Sequence, residues 1–218
     1  PCFHDEPQFY WEPVGEMLNH CKNILYLSEE EKKMTISNYG LTMGKKVIEG
    51  MVIGVGLSYG VLAKYLQKDN RNTTDARVRF QLPDHYFLYL GRKEIGKGVR
   101  ELVEWYPDFY YQQKRRNNIV PLVFVGGGDK TLVPKEECFI DLGFLSEEEK
   151  TEIIEHADGL INLSNNESFS LVIMEAWLNN TPVIVSDSCM VTKGHCIRSK
   201  GGFAVKNRNE LVKVLSLI

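Results

Sequence analysis

Short apolar runs alternate with charged stretches along most of the chain. Several runs are apolar at nearly every position, which is typical of strands that are buried on both faces of a parallel sheet. We therefore predict β-strands at Ile24–Leu27, Val47–Val55, Tyr86–Leu90, Leu122–Val125, Phe139–Leu142, Leu160–Leu163, Pro182–Val185 and Phe203–Val205.

The segments between these runs predict helices. Two of them begin with the pattern of a capping box, in which a serine and a glutamate three residues later bond to each other's backbone amides: Ser28 with Glu31, and Ser146 with Glu149. The predicted helices are Glu29–Asn38, Lys97–Trp105, Glu147–His156, Leu171–Leu178 and Asn209–Leu217. This alternation of strands and helices predicts an α/β fold with a Rossmann-like, doubly wound parallel sheet.

One polar stretch interrupts the alternation. Residues 58–84 are mostly polar and charged, as in Gln67–Asn72, although a short helix is expected around Val61–Leu66. We interpret residues 58–84 as a connector between two domains, which comprise residues 1–57 and residues 85–218.

Composition limits the classes of function. The 218 residues are 43% hydrophobic, which is typical of a globular chain, and the net charge of −3 gives no indication of a nucleic-acid partner. No apolar run approaches the ~20 residues that a membrane span needs. The sequence begins with Pro1 and shows no signal peptide, so we expect a cytoplasmic protein of which this chain is a piece.

The five cysteines show neither a disulfide nor a metal pattern. Their number is odd and no pair has the spacing of zinc ligands, which fits a reducing compartment. His195 beside Cys196 suggests a metal site, but no second ligand pair accompanies them, and we interpret both as structural. No metal site is predicted.

The first candidate for ligand chemistry follows the run Tyr86–Leu90. Gly91 and Arg92 come directly after this run, and Lys97 opens the next predicted helix. Ligands of parallel sheets bind beyond the carboxyl ends of the strands, and cations beside a helix N-terminus suit a diphosphate. A solvated basic loop without a ligand is the alternative that the spacing leaves open.

A run of glycines follows Leu122–Val125. Gly126, Gly127 and Gly128 let the backbone approach a ligand closely. The loop does not end in the Gly-Lys-Ser/Thr of a Walker A motif, and it is not a GxGxxG fingerprint. A tight turn without a ligand is the alternative interpretation.

The strongest local signal is a pair of glutamates, Glu167 and Glu175, separated by seven residues. Glu175 lies among apolar residues of a predicted helix, where an unpaired carboxylate would be costly. A vicinal diol is a suitable partner, because a carboxylate can accept two hydroxyl hydrogen bonds. The first-turn amides near Ser170 and Leu171 would be free to bind an anion. A solvent-facing helix position is the alternative for any single glutamate.

Seven sequence pieces occur in an order that resembles family 4 of the retaining, GT-B-fold glycosyltransferases. They are Gly91-Arg92 with Lys97-Gly98, Gly126–Gly128, Asp141–Ser146, Ala157-Asp158 with Ser164, Glu167 to Ala176, Pro182–Asp187 and Gly201–Phe203. The resemblance covers Tyr86 to Ile218 and implies that residues 85–218 bind the donor. Upstream, Cys2–His4, Asn23–Ser28 and Val52–Gly56 resemble the end of the family's N-terminal domain. Residues 1–57 are therefore expected to be a remnant of an acceptor-side, partial second Rossmann-like domain.

The resemblance also implies roles for individual residues. Arg92 and Lys97 would hold the donor diphosphate, whereas Glu167 and His4 would face the transferred sugar, and these four are the expected catalytic residues. Glu175 would bind the ribose hydroxyls. The other expected donor contacts are Phe169, Ser170, Leu171, Gly91, Gly126, Gly127, Phe144 and Leu145. Ser170 departs from the family, which often has glycine there, and this leaves the identity of the donor sugar open.

The implied reaction moves a hexose-type sugar from a nucleoside-diphosphate sugar to a hydroxyl acceptor, with retention and without a metal or other cofactor. Family members use lipid-linked or saccharide acceptors in polysaccharide or glycolipid synthesis, and peripheral membrane contact through the missing N-terminal part is an expectation. This chain alone is not expected to complete the transfer. A non-catalytic nucleotide-sugar-binding fragment or regulatory subunit is one alternative. Another GT-B enzyme, such as a sugar-nucleotide epimerase, is the other, although the two spaced glutamates favour a transferase.

Overall fold

A computed structural model describes residues 11–43, 45–56 and 76–218. His4 and the helix expected around Val61–Leu66 lie outside these residues. The described helices are α1 (Trp11–His20), α2 (Glu29–Met43), α3 (Lys45–Glu49), α4 (Ala76–Arg79), α5 (Val99–Lys114), α6 (Glu147–Glu155), α7 (Leu171–Leu178), α8 (Met190–Ser199) and α9 (Arg208–Leu215). The strands are β1 (Leu25–Tyr26), β2 (Met51–Val52), β3 (Phe87–Leu90), β4 (Leu122–Val125), β5 (Phe139–Gly143), β6 (Gly159–Asn162), β7 (Val183–Ser186) and β8 (Gly202–Val205). Short 3₁₀ turns lie at Ile95–Lys97 and Lys130–Leu132.

The main sheet contains six strands in the order β5-β4-β3-β6-β7-β8. Every neighbouring pair in it is parallel. The chain order reverses its direction between β3 and β6, as in a doubly wound sheet. At such a switch point the loops after the two adjacent strands diverge and leave a crevice at the carboxyl edge of the sheet. The predicted α/β, Rossmann-like fold is therefore confirmed, and the loops after β3 and β6 border the crevice.

Helices cover both faces of this sheet. On one face, Leu102 and Tyr106 of α5 and Leu211 of α9 are completely buried. On the other face, Ile153 of α6 and Ile173 of α7 are completely buried. Because neither face contacts water, the strands are apolar at consecutive positions, which explains why the apolar runs predict them correctly.

The N-terminal residues form a smaller unit in which β1 and β2 pair in parallel. Its core contains Leu18, Ile24, Tyr26, Tyr39 and Val47. The Tyr26 hydroxyl donates a hydrogen bond to the Val47 carbonyl at 2.8 Å, so this buried phenol is satisfied. A parallel pair connected through helices is the arrangement expected of a partial Rossmann-like domain. The domain boundaries at residues 57 and 85 remain a prediction.

The strand prediction at Val47–Val55 is wrong for its first half. Val47 belongs to α3, and the strand is only Met51–Val52. The β-branched residues favour a strand, but Val47 is completely buried against the N-terminal core from its helical position. Gly50 lies between the helix and the strand. It packs closely against the Tyr26 ring, and an added Cβ there would lie 2.4 Å from that ring.

The helix predicted at Lys97–Trp105 begins and ends later in the structure. Lys97 ends a 3₁₀ turn, and α5 continues through Pro107 to Lys114. A proline inside a helix removes one hydrogen bond and normally ends it. Here the buried rings of Tyr106 and Phe109 on either side of the proline hold the helix against the sheet.

Helices α1 and α8 are absent from the sequence prediction. The α8 segment contains Val191, Thr192 and Gly194, which are poor helix formers. Val191 and Thr192 are buried, and α8 packs against β7 and β8. Tertiary packing therefore forms this helix where local propensity does not.

Gly98 determines how α5 starts beside the crevice. Its φ angle is 74°, in the left-handed region, and an added Cβ would lie 2.3 Å from the Leu163 carbonyl carbon. Leu163 follows the last residue of β6. The close contact between Gly98 and Leu163 therefore brings Lys97 to the carboxyl end of β6.

We predict that Gly98→Ala lowers the free energy of unfolding by about 2–4 kcal/mol, because the alanine adds both left-handed strain and a backbone clash. Gly96→Ala is the matched control, since a Cβ at Gly96 meets no atom within 4 Å. Urea denaturation of both variants measures the difference. Equal effects of the two alanines would contradict this role of Gly98.

Candidate functional site

The crevice at the switch point contains a pocket with about 430 Å³ of empty space, its open mouth included. The pocket lies between the end of β3, the end of β6 and the start of α7. Its lining residues are Tyr89, Leu90, Gly91, Arg92, Lys97, Asn162, Glu167, Ser170, Leu171 and Val172. The structure thus brings together in one pocket six residues that the sequence singles out separately: Gly91, Arg92, Lys97, Glu167, Ser170 and Leu171.

Lys97 and Glu167 form an ion pair within the pocket. The Lys97 Nζ lies 2.9 Å from the Glu167 Oε1, and the two side chains are 28% and 14% exposed. Burial of this degree shields the pair from solvent, so that the attraction between the two charges is stronger than at an open surface. A ligand that approaches Lys97 therefore also approaches Glu167.

Arg92 lies at the open side of the pocket. Its side chain is 71% exposed and pairs with Glu94 at 3.0 Å. The backbone of Arg92 is held more firmly, because the Tyr89 hydroxyl donates to its carbonyl at 2.6 Å. Burial, followed by the negative charge of Glu167, raises the pKa of Tyr89, so this phenol remains a hydrogen-bond donor. The backbone of the turn after β3 is thus fixed, while the exposed guanidinium is held by its ion pair with Glu94.

The start of α7 opens toward the pocket. Ser170 precedes the helix with a φ of 68°, in the left-handed region where glycine is favoured, and its side chain does not cap the helix. Instead, its hydroxyl accepts a hydrogen bond from the Asn162 Nδ2 at 3.1 Å. The amides of Leu171 and Val172 have no side-chain cap among the described residues. Glycine adopts this left-handed backbone without strain, which is consistent with the glycine that the resembled family often has at this position.

Asn162 is a pocket residue that the sequence analysis misses. It is the last residue of β6, and its Oδ1 also accepts from the Ser164 amide at 3.0 Å. The bond to Ser170 connects the end of the strand to the start of α7, and the bond from Ser164 fixes the turn after the strand. A polar residue inside an otherwise apolar run was the signal that could have identified it.

Glu175 lies one turn further along α7 and does not line the pocket. Its Oε1 accepts from the Lys150 Nζ at 3.1 Å, whereas its Oε2 is buried and has no hydrogen-bond partner among the described residues. Lys150 also pairs with Glu147 at 2.8 Å. Burial alone would lower the pKa of Lys150, but Glu147 and Glu175 outweigh it and raise that pKa. The sequence predicts correctly that Glu175 needs a partner, but misses Lys150.

The glycine run makes its close approaches to neighbouring backbone. A Cβ at Gly126 would lie 2.1 Å from the Gly91 carbonyl oxygen. The Gly126 amide donates to the Gly143 carbonyl at 2.7 Å, and Gly127 accepts from the Lys93 amide at 2.8 Å. Neither Gly126 nor Gly127 lines the pocket. Loop-to-loop packing therefore already requires Gly126.

A completely buried lysine, Lys93, connects these loops through hydrogen bonds. Its Nζ donates to the Gly126 carbonyl at 2.5 Å and pairs with Asp141 at 2.9 Å. The same Asp141 oxygen accepts from the Gly143 amide at 3.0 Å. Lys93 thereby joins the ends of β3, β4 and β5, and nothing in the sequence distinguishes it from a solvated loop lysine.

The remaining predicted contacts, Phe144, Leu145 and Phe169, do not line the pocket. The Phe144 ring is 86% exposed, whereas Leu145 is buried in the core. The Phe169 ring packs edge-on against His195, with the ring centroids 5.0 Å apart. Only Phe144 of these three side chains is open to a ligand in this arrangement.

Comparison with known families gives one match. The sequence profile described as Glycosyl transferases group 1 matches residues 70–214, which is more than half of the chain. No curated protein matches the sequence.

Solved structures of similar fold include several glycosyltransferases. A trehalose-6-phosphate synthase, solved in a study of glycosyl transfer with retention, has a TM-score of 0.71 at 12% identity and aligns over 95% of this chain and 55% of its own. Anabaena HepE in complex with UDP and glucose has a TM-score of 0.63 at 17% identity, over 95% and 56%. WaaG, a glycosyltransferase of lipopolysaccharide biosynthesis, has a TM-score of 0.61 at 15% identity, over 88% and 52%.

These similarities at low identity show a shared fold. The chain spans about half the length of each of the three proteins. Among the described residues, no helix is both long enough and apolar enough to cross a bilayer.

We predict that Lys150→Met destabilises the protein by about 1–3 kcal/mol, because it leaves the partly buried Glu175 carboxylate without its hydrogen-bonding cation. Combining Lys150→Met with Glu175→Gln should recover much of the loss. Urea unfolding near pH 7 measures both effects.

The control for this prediction is Glu147→Gln, since Glu147 is 58% exposed and contacts the same lysine. It should cost far less than Lys150→Met. Additive losses in the double variant would contradict an energetic coupling between Lys150 and Glu175.

Proposed function

Because this chain belongs to the family Glycosyl transferases group 1, we propose that its pocket binds a nucleoside-diphosphate sugar as donor. In the whole protein, the sugar is transferred to a hydroxyl acceptor. The observation that carries the proposal is the convergence of Lys97, Glu167 and the uncapped start of α7 on one pocket at the switch point.

The diphosphate is the group that best fits the positive side of this pocket. The first amides of α7 carry the positive end of the helix dipole, and Lys97 adds a full charge beside them. Arg92 lies at the rim on an exposed side chain, from where it can close over a phosphate in a bidentate contact.

Both cations already have carboxylate partners, and this determines how the donor binds. Lys97 pairs with Glu167, and Arg92 pairs with Glu94. A bound diphosphate takes over part of these interactions. Binding therefore replaces ion pairs within the protein by ion pairs between the protein and the phosphates. When Lys97 turns toward the phosphate, the Glu167 carboxylate is left facing the sugar, where positive charge develops as the bond to the diphosphate breaks.

The nucleoside lies further along the same edge. The buried Glu175 Oε2 has no hydrogen-bond partner within the part of the chain that the structure describes, so one ribose hydroxyl can donate to it while Lys150 keeps Oε1 in place. The exposed Phe144 ring offers an apolar surface for the base. HepE, which has this fold, was solved with UDP, and UDP is therefore the first nucleotide to test.

We propose retention of the anomeric configuration. The bond from the anomeric carbon to the phosphate oxygen breaks, and the acceptor oxygen bonds to the same face while its proton passes to the departing phosphate oxygen. Lys97, Arg92 and the α7 amides stabilise the departing diphosphate, which is the task that a metal performs elsewhere. The fold shared with a trehalose-6-phosphate synthase that was studied for transfer with retention supports this proposal.

The identity of the acceptor is also a proposal. A lipid-linked or saccharide acceptor is favoured by the shared fold with WaaG, which acts in lipopolysaccharide biosynthesis. A hexose as the transferred sugar, a role for His4, a cytoplasmic location and peripheral membrane contact remain predictions from the sequence.

We predict that the chain binds UDP equally well with and without EDTA, because protein cations hold the diphosphate. Lys97→Met should weaken UDP binding by about tenfold or more, as expected for the loss of a charge-assisted hydrogen bond. Isothermal titration calorimetry measures both. Lys114→Met is the matched control, since Lys114 pairs with Glu137 on the surface and does not line the pocket.

Binding that disappears in EDTA would contradict a metal-free site. Equal effects of Lys97→Met and Lys114→Met would contradict binding of UDP in this pocket. Hydrolysis of a UDP-sugar by the full-length protein separates a transferase from a nucleotide-binding fragment without turnover. Formation of an epimeric UDP-sugar in the same assay would identify the epimerase alternative.

We predict that the two glutamates differ in their effects. Glu175→Gln should weaken UDP binding by about tenfold, because Glu175 would bind the ribose equally in the ground state and in the transition state. Glu167→Gln should leave UDP binding at least as strong as in the wild type, because it releases Lys97, but should lower kcat in the full-length enzyme by roughly tenfold or more.

Calorimetry and steady-state kinetics measure the two parameters, and circular dichroism controls for folding of α7. If Glu167→Gln weakened UDP binding as much as Glu175→Gln does, the proposed division of roles would be wrong.

A further inference from the structure

Three side chains connect the N-terminal unit to the turn that carries Glu167. Arg198 of α8 donates from both terminal nitrogens to the Glu30 carboxylate of α2. The same guanidinium lies 3.1 Å from the His195 Nδ1. The His195 Nε2 in turn lies 3.0 Å from the Phe169 carbonyl oxygen. A continuous chain of hydrogen bonds therefore runs from α2 to the start of α7.

The partners of His195 define its tautomer. A carbonyl can only accept, so Nε2 carries the proton toward Phe169, and a guanidinium can only donate, so Nδ1 is the unprotonated acceptor. Burial, followed by the positive charge of Arg198, lowers the pKa of His195 and keeps the ring neutral near pH 7. The neutral ring satisfies both neighbours at once, which the protonated ring cannot do.

Phe169 is held at two points by the same histidine. Its carbonyl accepts from Nε2, and its ring packs edge-on against the imidazole at an interplanar angle of 71°. Phe169 lies between Glu167 and Ser170, whose φ of 68° requires support from outside the residue itself. His195 therefore fixes the segment that places Glu167 in the pocket and aims the first amides of α7.

The contact between α2 and α8 is unusually close. A Cβ at Gly194 would lie 2.2 Å from the Glu30 Oε1, so a larger residue there would require the Glu30 side chain to shift. The Glu30 side chain is only 12% exposed. Burial would raise the pKa of Glu30, but the hydrogen bonds and charge of Arg198 outweigh it and lower that pKa. Glu30 is therefore charged at neutral pH and holds Arg198 in place.

We propose that His195 is a positioning residue for the donor pocket, and that Glu30 sets its orientation through Arg198. The contact between α2 and α8 thereby controls the shape of the Glu167–Ser170 turn. This inference rests on the proposed function in one respect, namely that this turn belongs to a donor site. It adds that Glu30 of the N-terminal unit helps to form the site through Arg198 and His195.

The chain of bonds has a defined response to pH. The charged groups that face His195 are Arg198 from its own helix and Glu30 from α2. Protonation at Nδ1 removes the acceptor for Arg198 and places two cations together. Because the pKa of His195 is lowered by folding, its contribution is complete above about pH 6.5, the ordinary value, and is lost as the pH falls through the lowered pKa.

The test compares two substitutions of the same histidine. The Gln side chain of His195→Gln has one amide group that can donate to Phe169 and one oxygen that can accept from Arg198, whereas His195→Leu keeps the bulk without either. Hydrogen exchange of the amides of residues 165–172 should accelerate at least tenfold in His195→Leu and stay near the wild-type rate in His195→Gln. UDP affinity should fall roughly three- to tenfold in His195→Leu.

A pH series separates positioning from a merely structural role. UDP affinity of the wild type should fall more steeply on the acid side of neutrality than that of His195→Gln, which keeps only the fall caused by protonation of the terminal phosphate, whose second pKa is about 6. Glu30→Ala alone should accelerate hydrogen exchange of residues 165–172. Added to His195→Leu, it should have no further effect, because the bond between residue 195 and Phe169 is already lost there.

The outcomes distinguish this inference from the proposed function. If the wild type binds no nucleoside diphosphate, the proposed function fails, while hydrogen exchange still decides whether His195 orders the turn. Unchanged exchange of residues 165–172 in both His195→Leu and Glu30→Ala would overturn the positioning role. An acid-side fall in UDP affinity that is equally steep in His195→Gln and in the wild type would overturn it as well.

Discussion

The six-stranded parallel sheet is stable only when both of its faces are covered, and this requirement determines where the pocket lies. Because crossovers between parallel strands are right-handed, the helices cover one face while the strand order runs one way and the other face after it reverses, so the order has to reverse between β3 and β6. The loops after these two strands part at that point. Gly98 then allows α5 to start directly against Leu163, which brings Lys97 from the β3 side to Glu167 on the β6 side. The site is thus a consequence of how the sheet is covered.

Charge neutralisation is the second feature that unites the site. Cations near the carboxyl edge are paired with carboxylates before any ligand is present. The pairs are Lys97 with Glu167, Arg92 with Glu94, Lys93 with Asp141 and Lys150 with Glu175. Such pairing reduces the repulsion among clustered cations and holds each side chain in a defined position. Under the proposed function, affinity for a diphosphate depends on the difference between two sets of ion pairs rather than on a free positive surface.

The elements that the sequence predicts are those with a local signal. The strands of the main sheet follow from apolar runs, and the helix α6 follows from the capping box of Ser146 and Glu149, which the structure contains. Helix α8 has no such signal, because its residues are helical only through packing on β7 and β8. The helix α5 continues past its predicted end for a related reason. The buried aromatic rings on either side of Pro107 outweigh the one hydrogen bond that the proline removes.

The candidate site shows the same division between sequence and structure. The sequence by itself determined which residue types stand at the strand ends, including the two cations after β3 and the two glutamates around α7, since these positions are read from strand boundaries and spacing. Only the tertiary structure decided that Lys97 pairs with Glu167, that the buried Lys93 pairs with Asp141 and the partly buried Lys150 with Glu175, and that His195 reaches Phe169. These contacts join residues 25 to 70 positions apart. Partners so distant in sequence are selected by the packing of helices on a twisted sheet, and no local pattern encodes which of them will meet.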